Sequence, residues 1–379
     1  MQKGLINLIR DYYNSKEFIP LHVPKFSGNE GKFVQETIKS TYVSSVGKYV
    51  DQFEFDITKY TKSPSAVAVM NGTAALHIAL KASGVQQDDL VITQALTFVA
   101  TCNAIKYCGA DPVFIDVDLD TLGLSPFALE KWLQNNAFID DKGVCKEKNS
   151  KKKISACIPM HTFGHPVKIT ELLVVCSDWK IPIIEDAAES LGSYYKKKHT
   201  GTFGLIGTLS FNGNKIITTG GGGMVLTNKS LGKEIKHLTT TAKKPHAYEF
   251  HHDSVGYNYR MPNINAALGC AQLEMINSFI VKKRELANIY FDFFSGNSNF
   301  EFFTEPKDCV SNYWLNSVIC GSKNDRDSLL KFTNKNNIMT RPIWVLMTKL
   351  PMYKDCLSDN LKNSLWLEER VVNLPSSVK

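Results

Sequence analysis

The feature that most constrains the fold is a rhythm of short apolar runs. They recur at Ala66–Met70, Leu90–Thr93, Pro112–Val117, Ile154–Met160, Ile181–Ile184 and Leu205–Phe211, each short enough to be a buried strand. Between several of them lie stretches of helical character, such as Ala74–Ser83 and Thr97–Cys108. Strands alternating with helices predict crossover connections, and hence an α/β fold with a largely parallel sheet covered on both faces. A longer helical segment, Asn263 to Phe294, is expected to lead into a smaller C-terminal α+β portion with strands around Trp314–Cys320 and Ile343–Val345. No repeat, low-complexity tract or Pro-rich linker marks a boundary. The expected division is residues 1–270 as a large ligand-binding domain with its N-terminal segment, and 271–379 as a small domain.

Composition narrows the function classes. With 379 residues, 43% hydrophobic and 21% charged, the chain can bury a sizeable core. The net charge of +7 is spread out, apart from Lys151-Lys152-Lys153 and Lys196-Lys197-Lys198. These runs read as solvated loops, so no nucleic-acid partner is expected. The nine cysteines are odd in number and include no Cys-x-x-Cys pair. That pattern suits buried thiols in a reducing compartment, with neither a disulfide framework nor a metal site. Met1 to Ile9 is interrupted by Lys3 and followed by Arg10 and Asp11, and no apolar run approaches a membrane span. The expectation is a cytoplasmic protein without a membrane partner.

Three places carry chemistry. Asn71-Gly72-Thr73-Ala74-Ala75-Leu76 follows a predicted strand and opens a predicted helix, so free amides and the positive end of the helix dipole converge on one point. A phosphate suits that point; taken alone, the segment also reads as an ordinary turn capped by Thr73. Asp186 ends the Ile181-Pro-Ile-Ile-Glu-Asp run, and ligands of parallel sheets sit beyond the carboxyl ends of strands. Its alternative reading is an N-cap for a helix through Ala187, Ala188 and Glu189. Lys215 lies 29 positions further on, five after Ser210, and is followed by Thr218-Thr219 and Gly220 to Gly223. The glycine run matches neither the dinucleotide fingerprint nor a P-loop and reads as a tight turn. A lysine amine to hold an aldehyde as a Schiff base, and a carboxylate to keep a ring nitrogen protonated, are the pair that a pyridoxal phosphate (PLP) enzyme requires. Phe98 suits either offset stacking on such a ring or core packing.

Taken in order, Gly72-Thr73-Ala74, Thr97–Thr101, Glu185-Asp186-Ala187-Ala188, Ser210–Lys215, Thr218-Thr219-Gly220 and Gly256-Tyr-Asn258-Tyr-Arg260 resemble the DegT-type nucleotide-sugar aminotransferases. The resemblance runs from about residue 20 to the end. It implies PLP fold type I, as in aspartate aminotransferase, with a mostly parallel mixed sheet and a smaller C-terminal domain. It also implies a homodimer whose active sites draw on both chains. On that basis Lys215 is the Schiff-base lysine and Asp186 the ring-nitrogen partner. Gly72, Thr73, Ala74 and Ser210 contact the cofactor, chiefly at its phosphate, with Phe98 on the ring and Glu189 nearby where many members carry Gln. Asn258 of the partner subunit reaches the phosphate. Lys243, Arg260 and Arg341 are the candidate cations for a substrate diphosphate or a donor carboxylate.

Phe211–Thr219, Met160–His165 and Leu238–Lys243 further resemble the branch serving bacillosamine and legionaminic acid synthesis. That branch implies transfer of an amino group from glutamate to the 4-keto carbon of a UDP-linked 2-acetamido-2,6-dideoxy-hexos-4-ulose, for bacterial surface glycans. The alternative is a GDP-4-keto-6-deoxymannose 4-aminotransferase of the perosamine type. Related sugar dehydratases replace the lysine with histidine, and Lys215 is intact. A non-catalytic PLP-binding protein is a further alternative, opposed by the retained Lys215 and Asp186.

Overall fold

The computed structural model describes residues 1–379. Its central sheet comprises β1 (Ser65–Val69), β2 (Leu90–Gln94), β3 (Asp111–Ile115), β4 (Ile154–Ile158), β5 (Ile184–Asp186), β6 (Ile206–Ser210) and β7 (Gly223–Thr227). The order is β3-β2-β4-β5-β6-β7-β1, with β4 joined to β5 through bridges Cys157–Ile183 and Met160–Asp186. All strands are parallel except β7, which runs antiparallel to both β6 and β1. The α/β class and the mostly parallel mixed sheet expected from the sequence are found.

Helices cover both faces, which is why the strands are apolar almost throughout. On one face Val67, Val91, Ile184, Ile206 and Val225 meet Ala75, Ile78 and Ala79 of the helix Gly72–Ala82 and Ala104 and Ile105 of the helix Val99–Tyr107. On the other, Ala66, Ala68, Leu209, Met224 and Leu226 pack with Phe53 and Ile57 of the helix Lys48–Thr61. Side chains alternate between the faces along each strand, so both clusters come from the same few residues.

β7 was hidden in the glycine run. Gly220 does turn, with φ +80°, but Gly223 already belongs to β7, where a Cβ would lie 2.5 Å from the Asn71 carbonyl oxygen. The glycine there answers a close approach of two backbones as well as a turn.

A second sheet contains β8 (Phe300–Phe302), β9 (Asn316–Cys320), β10 (Arg341–Pro342) and β11 (Val371–Leu374), antiparallel in the order β8-β9-β11-β10. The strand expected over Ile343–Val345 is replaced by β10. Beyond it the chain passes over the first sheet's loops, where the Met347 N–H donates to the Ala95 carbonyl at 3.1 Å.

The packing divides the chain differently from the expected 1–270 and 271–379. Leu5, Ile6 and Ile9 of the N-terminal helix Gln2–Tyr13 share a core with Phe300, Phe302, Val318 and Val372 of the second sheet. The helix Asn263–Phe294 belongs to both cores, giving Ala266, Ala267, Leu273 and Phe279 to the first and Leu286, Tyr290 and Phe294 to the second. By length and composition this 32-residue helix could cross a bilayer, yet its apolar side chains are the joint between the two domains.

Candidate active site

A cavity of about 650 Å³ opens beyond the carboxyl ends of β5 and β6, closed on its far side by the second domain. Gly72, Thr73, Phe98, Asp186, Glu189, Ser210, Lys215 and Arg341, all expected from the sequence, line it together.

At one end, the helix Gly72–Ala82 is capped by Asn71 rather than Thr73. The Asn71 side chain accepts the Ala74 N–H at 2.7 Å. Ala74 is therefore occupied inside the cap and does not line the cavity, contrary to its expected cofactor contact. The first-turn amides of Gly72 and Thr73 have no helical acceptor. A Cβ at Gly72 would stand 2.9 Å from the Ser210 Cβ, so this cradle of two amides and a hydroxyl depends on glycine. Its donor set fits a phosphate monoester.

Deeper in, Asp186 is 2% exposed and ends β5. Its Oδ2 accepts the Thr101 hydroxyl at 2.7 Å and its Oδ1 the Ala188 N–H at 3.2 Å. No helix follows, which removes the N-cap reading; Ala188 and Glu189 form a turn. Burial pushes the Asp186 carboxyl above the usual carboxylate range, opposed by these two hydrogen bonds and by the Lys215 charge. A cation placed against it would favour the ionised form, as a protonated ring nitrogen would. The preceding Glu185 is fully buried, 3.1 Å from the His161 ring, and accepts the Gly201, Phe203 and Gly204 N–H groups. These bonds fix the end of β5 on which Asp186 stands.

Lys215 sits in the connection from β6 to β7, held by its N–H to the Asn212 carbonyl at 3.0 Å. Its Nζ lies 3.1 Å from Glu189 Oε1 and 3.9 Å from the centroid of the Trp314 ring. Glu189, 3% exposed, also accepts the Phe163 N–H at 2.9 Å. Burial raises its carboxyl, and the Lys215 charge is the first influence pulling it back. Phe98 stands at the mouth, 47% exposed and 6.3 Å from the Trp344 ring, with Phe163 behind Trp344 at 4.9 Å.

Three expected residues lie elsewhere in this chain. Asn258 is exposed and bridges to Thr240. Lys243 is exposed in a short hairpin, its ammonium 4.0 Å from the Phe250 ring centroid. Arg260 extends the β1 edge and approaches Asp51 at 3.6 Å. All three come from the segment between β7 and the domain-joining helix, and none of them lines this chain's cavity. Conversely, Thr101, Trp314, Trp344 and Asn373 line or support the site without having been singled out. Thr101 stands in a quoted motif, but nothing in the sequence pairs it with a residue 85 positions away. No group of three or more His, Cys, Asp or Glu side chains is arranged to hold a metal.

Residues 25–379 match the DegT/DnrJ/EryC1/StrS aminotransferase family. The chain belongs to this family. It is similar to a GDP-perosamine synthase of Escherichia coli O157:H7, 38% identical over 363 residues covering 95% of this chain and 93% of the relative. A GDP-perosamine synthase of Vibrio cholerae is 36% identical over 367 residues, 94% of each chain. In fold it is similar to the aminotransferase TlmJ from Streptoalloteichus hindustanus, with TM-score 0.85, 23% identity, and 95% and 93% of the two chains covered. The protein is thus a PLP-dependent sugar aminotransferase, and the phosphate cradle, buried carboxylate and cavity lysine fit that cofactor. The relatives named here are not of the bacillosamine and legionaminic acid branch that the motifs pointed to.

Proposed function

We propose that this aminotransferase acts on GDP-4-keto-6-deoxymannose, taking the amino group from glutamate and releasing the 4-amino sugar and 2-oxoglutarate. The observation that carries this reading is that three relatives, 38%, 36% and 33% identical, are GDP-perosamine synthases. It displaces the UDP-linked 2-acetamido sugar implied by the motifs of the loop regions.

In this reading PLP, when bound, supplies an electron sink for the carbon that gains or loses the amine. Gly72, Thr73 and Ser210 would hold its phosphate and Phe98 would pack against its ring; all four line the cavity. Asp186, ionised against the ring nitrogen, would keep a proton on it; its support by Thr101 at 2.7 Å fixes the carboxylate's direction. The Lys215 amine would hold the aldehyde and, once released, would serve as the base at the amine-bearing carbon; Glu189 Oε1, 3.1 Å away, holds it toward the cavity. Asn258 of the partner subunit completes the phosphate site in a homodimer, with Lys243 and Arg260 serving the substrate across the same boundary. Supporting this, none of the three lines the cavity of its own chain.

The deciding experiment assays the GDP-linked 4-keto-6-deoxymannose and the UDP-linked 2-acetamido 4-keto sugar in parallel with glutamate. A clear preference for the GDP sugar is expected. Preference for the UDP sugar overturns the substrate and leaves the aminotransferase chemistry intact.

A further inference from the structure

Two Asn-Gly pairs occur in the chain, Asn71-Gly72 and Asn212-Gly213, and both asparagines line the cavity. Glycine has no Cβ to shield its nitrogen, so in such a pair that nitrogen can reach the side-chain carbonyl carbon of the preceding asparagine. The fold treats the two pairs differently. Asn71 is extended, its Oδ1 accepts the Ala74 N–H at 2.7 Å, and Gly72 is already the first residue of a helix. Turning that amide toward Gly72 gives up the helix cap. Asn212 is exposed, and its side chain has no hydrogen-bond partner within the chain; only its backbone N–H reaches the Ser210 hydroxyl, at 3.4 Å. It opens the turn Asn212–Lys215, closed by the Lys215 N–H on the Asn212 carbonyl at 3.0 Å. The closing bond of such a turn leaves its inner N–H groups unused, and the Gly213 N–H donates to nothing. A Cβ at Gly213 would find only the Gly220 carbonyl oxygen, at 3.9 Å, so nothing crowds the approach.

We propose that Asn212 is a self-modification site, which loses its amide to become aspartate or isoaspartate at the mouth of the cofactor pocket. The Gly213 nitrogen bonds to the Asn212 Cγ, the Cγ–Nδ2 bond breaks, and ammonia leaves with the proton that Gly213 gives up. Water then opens the cyclic imide at either carbonyl, so the conversion requires no oxidant, reductant or second enzyme. Opening at one carbonyl gives aspartate; opening at the other routes the main chain through the former side chain. Both products reach the site. The new carboxylate stands two residues from Ser210, whose hydroxyl belongs to the phosphate cradle, and two anions in one place repel. Isoaspartate also inserts an extra main-chain carbon between Ser210 and Lys215, which displaces the amine from Glu189 and Trp314. The modification follows from the turn alone, while its effect on the cofactor rests on the PLP site described above.

The test incubates the full-length holoenzyme at mildly alkaline pH and follows the peptides carrying Asn71 and Asn212 by mass spectrometry, with fragmentation that separates aspartate from isoaspartate. A synthetic peptide spanning Ser210–Lys215 is the unfolded reference. Losing the helix cap slows Asn71 by about tenfold, so the Asn212 peptide should convert at least about tenfold faster. Asn212→Gln, whose amide stands a methylene further from the Gly213 nitrogen, should show no conversion at that peptide. Asn212 is exposed, so its variants keep the fold. Asn212→Asp supplies the aspartate product from the start, and in equilibrium dialysis it should hold PLP at least about tenfold more weakly than wild type. Conversion at Asn71 as fast as at Asn212 overturns the proposal, as does an Asn212 amide still intact when the reference peptide has fully converted. Unchanged PLP affinity in Asn212→Asp overturns the link to the cofactor. Peptide masses are read without turnover, so a failure of the sugar assignment, or of the aminotransferase reading itself, leaves the modification test standing.

Discussion

Lys283 allows a stability prediction worked from the structure. It leaves the domain-joining helix, is 1% exposed, and donates to the carbonyls of Trp314 at 3.1 Å and Ser376 at 2.6 Å. Burial pushes its amine from 10.5 down to about 7. At about 1.4 kcal/mol per pH unit, that difference amounts to roughly 5 kcal/mol. The sign follows from proton counting. Between pH 7 and 10.5 the unfolded chain holds the lysine proton and the folded chain does not, so stability rises with pH across this window. Below pH 7 both states are protonated and the full cost of burying the charge is present. Lys283→Met removes the titration and leaves two carbonyls short of a donor, a roughly pH-independent loss of about 1–3 kcal/mol each. Urea unfolding of both proteins at pH 7 and pH 9 should therefore show wild type gaining about 2 kcal/mol on the variant over that interval. A change in the gap below about 1 kcal/mol would refute the argument that burial, uncompensated by a carboxylate, controls this amine.

The site makes three further predictions. Borohydride reduction of the yellow protein should fix the cofactor on Lys215 by peptide mapping, and Lys215→Ala should bind it only noncovalently; an adduct on another lysine rejects the assignment. Asp186→Asn keeps the Thr101 contact but loses the charge, and turnover should fall by about 3–4 kcal/mol in the transition state, the scale of removing a preorganised electrostatic partner. Near-wild-type kcat in that variant rules out the role. Mixing Lys215→Ala with Asn258→Ala, each inactive alone, should restore activity as heterodimers form, since one of the two sites regains both wild-type residues. Heterodimers without activity would remove Asn258 from a shared site.

Local chemistry made much of this protein readable in its sequence. The apolar runs at Leu90, Ile154 and Leu205 announced buried strands because a sheet covered on both faces needs no polar alternation. Asp186 and Ser210 were identifiable because a strand's carboxyl end is where a parallel sheet meets its ligand. Lys215 was identifiable from its short distance to Ser210. What escaped were contacts that no local pattern encodes. Asn71 takes the cap from Thr73 and withdraws Ala74 from the ligand. Gly223 serves a neighbouring backbone more than a turn, and the N-terminal helix joins a core built some 300 residues later. Thr101 on Asp186 and Trp314 on Lys215 exist only because the fold brings distant segments together. The sequence by itself determined most strands of the first sheet, the helices between them and the candidate pair Asp186 and Lys215, since each depends on neighbours within a few residues. Only the tertiary structure decided what faces that pair, because a second domain's side chains become a wall of the cavity through packing between residues far apart in the chain.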